Sequence, residues 1–288
     1  MADMLIIGYG PAGVSASLYA LRSGLDVLMV GKDTGALEKA HMIENYYGLE
    51  KPLSGSELFA VGKRQAEALG AKIVNDEVTD LFFDGKEFVA TGLAGVYHGR
   101  ACIMATGSAR KKQPIPGMAE LEGHGVSYCA VCDAFFYRGK DVAVLGAGEY
   151  ALHECNELLN VAGSVTILTN GAEPTANFPE NVKVDKRPLK ALHGDGQLAG
   201  IVFVDESEIK IDGLFVALGS ASAMDLARKA GAAFENGSVV LDKGFMTTVP
   251  GLFAAGDCTG GTLQVAVAVG EGAIAGLAAI KYLRETRT

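Results

Sequence analysis

The chain contains no tryptophan, only five cysteines and eight prolines, and no surplus of basic residues. Lys and Arg number 25 against 34 Asp and Glu, a formal net charge of −9. That balance argues against a nucleic-acid surface and against a polybasic membrane patch. No apolar run reaches about 18 residues without a charge or a turn signal, so no transmembrane helix is expected. The opening MADMLIIGYGPAG has no basic leader and runs straight into a strand pattern, so a cytoplasmic location is expected. An odd set of cysteines (Cys102, Cys129, Cys132, Cys155 and Cys258) is too sparse for a disulfide scaffold. The five histidines are scattered and no second CxxC exists, so no metal site is expected.

What is present in quantity is apolar surface and glycine. Apolar residues make up 49% of the chain and glycines number 38, as suits an α/β protein with close backbone approaches. DMLIIGYGPAGVSASLYALRSGLDVLMVGKD reads as strand, glycine turn, amphipathic helix and strand. Gly8, Gly10 and Gly13 give GxGxxG between strand and helix, with Pro11 and Ala12 inside it. In a dinucleotide fold the first glycine makes the turn, the second admits a pyrophosphate, and the third lets helix and strand pack.

DVAVLGAGEYALHECNELLNVAGSVTILTN repeats the unit, with Gly146, Gly148 and Ala151 as GxGxxA. Between the two, a buried strand ends at Ala105-Thr106-Gly107 and a proline-containing linker follows. The tail TTVPGLFAAGDCTGGTLQVAVAVGEGAIAGLAAIKYL carries a strand, Gly256-Asp257 and a long Ala/Gly/Val helix, and is too short to fold alone. The expected fold is α/β, with two Rossmann-like domains, the second inserted into the first. The expected boundaries are 1–112 and 244–288 for the outer domain and 113–243 for the inserted one.

An isolated CxxC in such a chain favours redox work over structure. Here it is Cys129-Ala-Val-Cys132, followed at once by Asp133. GYGPAG, ATGSA at 105–109, CAVCD at 129–133, GLFVALGS at 213–220 and TTVPGLFAAGD at 247–257 occur in that order. Together they resemble the low-molecular-weight thioredoxin reductases of bacteria over essentially the whole chain. The CxxCD before the second nucleotide fold is the specific part; ferredoxin–NADP reductases of the same two-domain design lack it.

The resemblance implies FAD in the outer domain, a redox-active disulfide in the inserted one, thioredoxin as acceptor, a homodimer, and a rotation between domains. It implies that Cys129 attacks the partner, that Cys132 faces the flavin, and that Asp133 shuttles a proton. Asp133 also reads as a capping or first-turn acid. It further implies that Asp257 holds the ribityl chain and that Asn45 and Gln264 lie near the isoalloxazine. Each of these three also reads as a local cap or turn residue.

The departures bear on the electron donor. The family holds the NADPH 2′-phosphate with arginines after the strand here written SVTIL. In this chain no Arg or Lys occurs from Val161 to Val182, and Glu173 would repel a phosphate. Thr169 stands where an NADH site wants a carboxylate. Tyr150 replaces a small hydroxyl residue of the turn, and NGAEPTANFPENVKV, with two prolines, replaces a crossover helix. In the outer domain the acid expected on the adenosine ribose is missing at Gly31, with Asp33 the nearest substitute.

The pattern resembles the ferredoxin-dependent flavin branch of the family, in which no NADPH binds and reduced ferredoxin is the donor. Arg110-Lys111-Lys112, with Arg138 and Lys140, is the best basic run for docking an acidic ferredoxin, and reads equally as a solvated linker. The other readings are an NADPH-dependent reductase with an atypical site, a reductase of another dithiol protein, and a non-catalytic flavin redox sensor.

Overall fold

The computed structural model describes residues 1–32, 35–107, 115–219, 221–235 and 238–286, apart from the side chains of Lys39 and Cys132. Asp33 and the run Arg110-Lys111-Lys112 therefore lie outside the described residues. The chain divides into two compact units: Met1–Ala109 with Ser222–Thr288, and Arg110–Ala221 between them.

The outer unit begins with β1 (Ala2–Ile7), α1 (Pro11–Arg22), β2 (Val27–Gly31), α2 (Gly55–Ala68), β3 (Lys72–Asn75), β4 (Val78–Phe83), β5 (Phe88–Gly92) and β6 (Val96–Met104). The inner unit carries β7 (Val126–Ser127), α3 (Ala130–Asp133), β8 (Asp141–Leu145), α4 (Glu149–Leu159), β9 (Ser164–Leu168), β10 (Lys183–Asp185), β11 (Leu189–His193), β12 (Gly200–Phe203), β13 (Glu208–Lys210) and β14 (Gly213–Val216). The outer unit resumes with α5 (Ala223–Lys229), β15 (Phe234–Glu235), β16 (Ser238–Val239), β17 (Leu252–Ala254) and α6 (Val265–Glu285).

The outer sheet runs β3-β2-β1-β6-β5-β4, with β17 also paired to β6. Its parallel strands β1, β2 and β6 are covered on both faces, so they read as near-continuous apolar runs. Met4, Ile6, Val27, Met29, Ile103 and Phe253 share one core with the buried alanines of α1 and α6. The inner sheet, β10-β9-β8-β14-β7, is parallel throughout and leads into an antiparallel sheet β11-β12-β13. Both expected βαβ units are present.

One boundary differs from the sequence reading. The return to the outer unit falls at Ser222, not at 244, because α5 packs on β4. Lys229 Nζ there donates to the Thr79 carbonyl at 3.0 Å. The expected Ala/Gly/Val helix is α6, 21 residues and, by length and composition, apolar enough to cross a membrane. Its small face is packed against α1. Ser15 Oγ donates to Val269 O at 2.7 Å, and a Cβ on Gly272 would stand 2.1 Å from Ala12 O. Small residues let the two helix backbones touch, so α6 is a core helix of this unit.

Candidate functional site

Three local structures make up the candidate site: one glycine turn in the outer unit, the cysteine loop, and a second glycine turn in the inner unit.

In the outer unit, Gly8 has φ +101°, and a Cβ there would lie 2.2 Å from Ala105 O. A Cβ on Gly13 would lie 2.0 Å from Gly8 O. Only glycine fits either place. Gly10, in contrast, has nothing within 4 Å of a Cβ, so backbone stands open on that side. Gly10 is also the N-cap of α1 and supplies no side chain, and the first turn holds no acid. The N–H groups of Pro11-Ala12-Gly13's turn, proline excepted, are therefore offered to an anion from outside.

The other predicted residues of this unit gather nearby in the fold. A Cβ on Gly256 would sit 2.8 Å from the Ala12 side chain. Asp257 and Gly107 line one cavity of about 220 Å³ together with Cys258, Thr259 and Gly260. Burial pushes the Asp257 carboxyl upward. Thr106 Oγ1 is buried without a hydrogen-bond partner. Asn45 Nδ2 donates to Gln264 Oε1 at 3.2 Å, so these two distant residues meet. Glu271, which motif reading missed, accepts from the Gly256 N–H at 2.8 Å and from Thr259 Oγ1 at 3.1 Å. It fixes the loop that presents Asp257.

Gly31 has a physical explanation. A Cβ there would stand 2.8 Å from the ring of Tyr9, which is buried and packs on Phe59. An acid at this position is sterically excluded by the tyrosine inside GYGPAG.

In the inner unit, β7 delivers the chain to the cysteine loop. Cys129 is disulfide-bonded and 3% exposed. Cys102, Cys155 and Cys258 are free. Burial pushes the Cys155 thiol to about 11 and the Cys258 thiol to about 12, and raises Cys102 as well. None of the three is a nucleophile at neutral pH.

Asp133 closes α3 and makes no capping bond with its side chain. Its Oδ2 accepts from Ser127 Oγ at 2.6 Å, and Ser127 Oγ accepts from the Cys129 N–H at 3.1 Å. On the other side, Glu154 of α4 accepts from the Ala130 N–H at 2.6 Å. Ser127 and Glu154 are buried polar residues outside any motif, and no sequence signal marks them. Val131, Phe135 and Phe136, beside the cysteines, are exposed.

The second glycine turn has a neighbouring segment laid against one side. Thr175 N donates to Ala147 O at 2.7 Å, so the segment that replaces a crossover helix lies on the turn itself. Tyr150 is 1% exposed and donates its hydroxyl to Tyr128 O at 3.4 Å. Thr169 is buried, with its hydroxyl donating to Ala172 O at 2.6 Å. Two cations directly after β10 are paired: Lys186 with Glu173 at 2.5 Å, and Arg187 with Asp185 at 2.5 Å. Arg187 also stacks on Phe203 at 3.9 Å. Among the described residues, no cluster of His, Cys, Asp and Glu is placed to hold a metal.

Residues 2–272 match the model of the pyridine nucleotide-disulphide oxidoreductase family. The thioredoxin reductase of Bacillus subtilis (strain 168) is 35% identical, over 98% of this chain and 95% of its own length. Among solved structures, the atypical thioredoxin reductase TRi of Desulfovibrio vulgaris Hildenborough superposes with a TM-score of 0.92 at 40% identity, over 100% of this chain and 99% of that one. A ferredoxin-flavin thioredoxin reductase of Clostridium acetobutylicum gives a TM-score of 0.77 at 31% identity, over 99% of both chains.

Proposed function

The chain belongs to the thioredoxin reductases of the pyridine nucleotide-disulphide oxidoreductase family, and from that premise we propose that it reduces thioredoxin with electrons from reduced ferredoxin, not from a pyridine nucleotide. The observation that carries the choice of donor is the segment laid against the second turn. A dinucleotide needs the GxGxxA backbone open to its pyrophosphate. Here the Thr175 segment bonds to Ala147 and lies beside that approach. The nearby cations Lys186 and Arg187 are engaged with Glu173 and Asp185. The likeness to an enzyme named for ferredoxin and flavin supports the same reading.

The outer unit fits FAD. In its first turn nothing lies within 4 Å of a Cβ on Gly10, whereas in the second Thr175 Oγ1 lies 3.4 Å from one on Gly148. The orphaned Thr106 hydroxyl supplies an unsatisfied polar group, and the cavity at Asp257 and Gly107 supplies space, for a ribityl chain. Gly8, Gly10, Pro11, Ala12 and Gly13 would hold the pyrophosphate. Thr106, Gly107, Gly256 and Asp257 would hold the ribityl region, with Asn45 and Gln264 toward the isoalloxazine. When bound, FAD supplies the conversion of single electrons into pairs that a ferredoxin donor requires.

The protein's own residues then carry the exchange. The Cys129 thiolate attacks one sulfur of the thioredoxin disulfide, forming a mixed disulfide and releasing one thioredoxin thiolate. The Cys132 thiolate attacks Cys129 Sγ, closing the Cys129–Cys132 disulfide and releasing the second. Asp133, held by Ser127, moves the proton that each released thiolate takes up. Ferredoxin-driven formation of thioredoxin dithiol tests this. Wild type is expected to turn over, and Cys129→Ser to lose turnover while its flavin is still reduced. Turnover surviving in Cys129→Ser would sink the mechanism.

A further inference from the structure

In a nucleotide fold, the helix after the glycine turn presents its start to a pyrophosphate. In this chain the same helix, α4, reaches the cysteine loop with two side chains. Tyr150 donates to Tyr128 O, and Glu154 accepts from the Ala130 N–H at 2.6 Å. Tyr128 and Ala130 are the two neighbours of Cys129. Glu154 is 1% exposed. A carboxylate so buried is costly unless something specific needs it there. Ser127 completes the frame by holding the Cys129 N–H and the Asp133 carboxylate.

We propose that Glu154 is a positioning residue of the disulfide: with Ser127 it fixes the Cys129 loop, and its buried charge sets the balance between disulfide and dithiol. The proposal rests on the thioredoxin reductase reading. Reduction breaks the S–S bond, takes up two electrons and two protons, and gives two thiols. One thiol must then lose its proton to attack. A carboxylate charge held on the N–H next to Cys129 would oppose that thiolate, because like charges in a dry place disfavour each other. The disulfide and the neutral thiol offer Glu154 no charge to act on.

The pair is thereby held toward its oxidised form as pH rises, and its dithiol becomes a stronger donor. The other titratable groups facing the loop are Asp133 on α3, Tyr128 before it and Tyr150 on α4. Tyr137 in the following turn is pushed up by burial and by Asp133, and Lys140 stands over its ring at 5.6 Å.

The test uses the full-length flavoprotein as wild type, Glu154→Gln and Glu154→Asp. Gln keeps an acceptor for the Ala130 N–H and removes the charge; Asp keeps the charge. Each is equilibrated with oxidised and reduced glutathione between pH 7 and 9, quenched in acid and thiol-labelled. The pH dependence of Cys129 alkylation is read on the reduced proteins. Glu154→Gln is expected to shift the equilibrium about tenfold toward dithiol, roughly 30 mV for a two-electron couple, and to lower the alkylation midpoint. Glu154→Asp is expected to stay near wild type.

An unchanged equilibrium and midpoint in Glu154→Gln overturns the proposal, as does a Gln-like shift in Glu154→Asp. The wild type gives a check that needs no variant: its Cys129 midpoint should exceed the ordinary cysteine value of about 8.5, and a lower one also overturns the proposal. Thioredoxin turnover by the wild type is scored separately. Its absence would count against the functional reading alone.

Discussion

Gly31 shows how a single residue can mislead a motif. The missing acid at the end of β2 reads as a defect of the cofactor site, but Tyr9 occupies the space that any side chain at 31 would enter. That contact joins two loops and is invisible in a linear pattern. Gly31→Ala is expected to destabilise by about 1–3 kcal/mol, the usual cost of overpacking a filled site. Tyr9→Ala should remove most of that penalty in a double-mutant cycle read by thermal unfolding. Additive losses would show that the ring is not the obstacle.

Cysteines offer a second test at this scale. With its thiol pushed to about 11, Cys155 is thiolate in about one molecule per thousand at pH 8, and Cys258, at about 12, less still. A folded group raised in this way stays protonated across the neutral range and ionises only as pH climbs through its raised value. Iodoacetamide at pH 8 should therefore leave both unlabelled in the native protein and label both after denaturation. Rapid native labelling, read by mass spectrometry, would contradict the burial of Cys155 and the raised thiol of Cys258. Ser127 and Glu154 were beyond motif reading, because a buried polar residue becomes visible only once its partner is placed beside it.

At the level of elements, the two βαβ units were legible. Glycine spacing, apolar strands and helical periodicity agree at residues 2–31 and 141–168, and both fold as read. The crossover loop was legible too, since its two prolines and weak periodicity leave no helix between β9 and β10. The return boundary was not. α5 is short, and its partner β4 lies far away in sequence, so nothing local ties Ala223–Lys229 to the outer unit. The α1–α6 contact is where an element depends most on a small residue. Gly272→Ala places a Cβ 2.1 Å from Ala12 O, against backbone that cannot yield without moving α1. A loss of at least about 2 kcal/mol is expected, together with reduced flavin content, because α1 carries the glycine turn. Unchanged melting temperature and flavin content would mean that the helices separate freely.

For the whole molecule, the question is which electrons enter. The first dinucleotide turn is clear at Gly10 and the second has the Thr175 segment against it, and that contrast is the core of the account. The sequence displayed the missing arginines. It did not display the Thr175 segment lying on Ala147, because that contact depends on how a proline-rich loop folds back.

The most direct measurement is an anaerobic absorbance titration of the purified flavoprotein with oxidised thioredoxin present, adding NADPH, then NADH, then ferredoxin kept reduced. The account predicts that the flavin ignores both nucleotides and cycles with ferredoxin. Rapid bleaching by NADPH at micromolar concentration would contradict it, and would show that the second turn opens to a nucleotide after all.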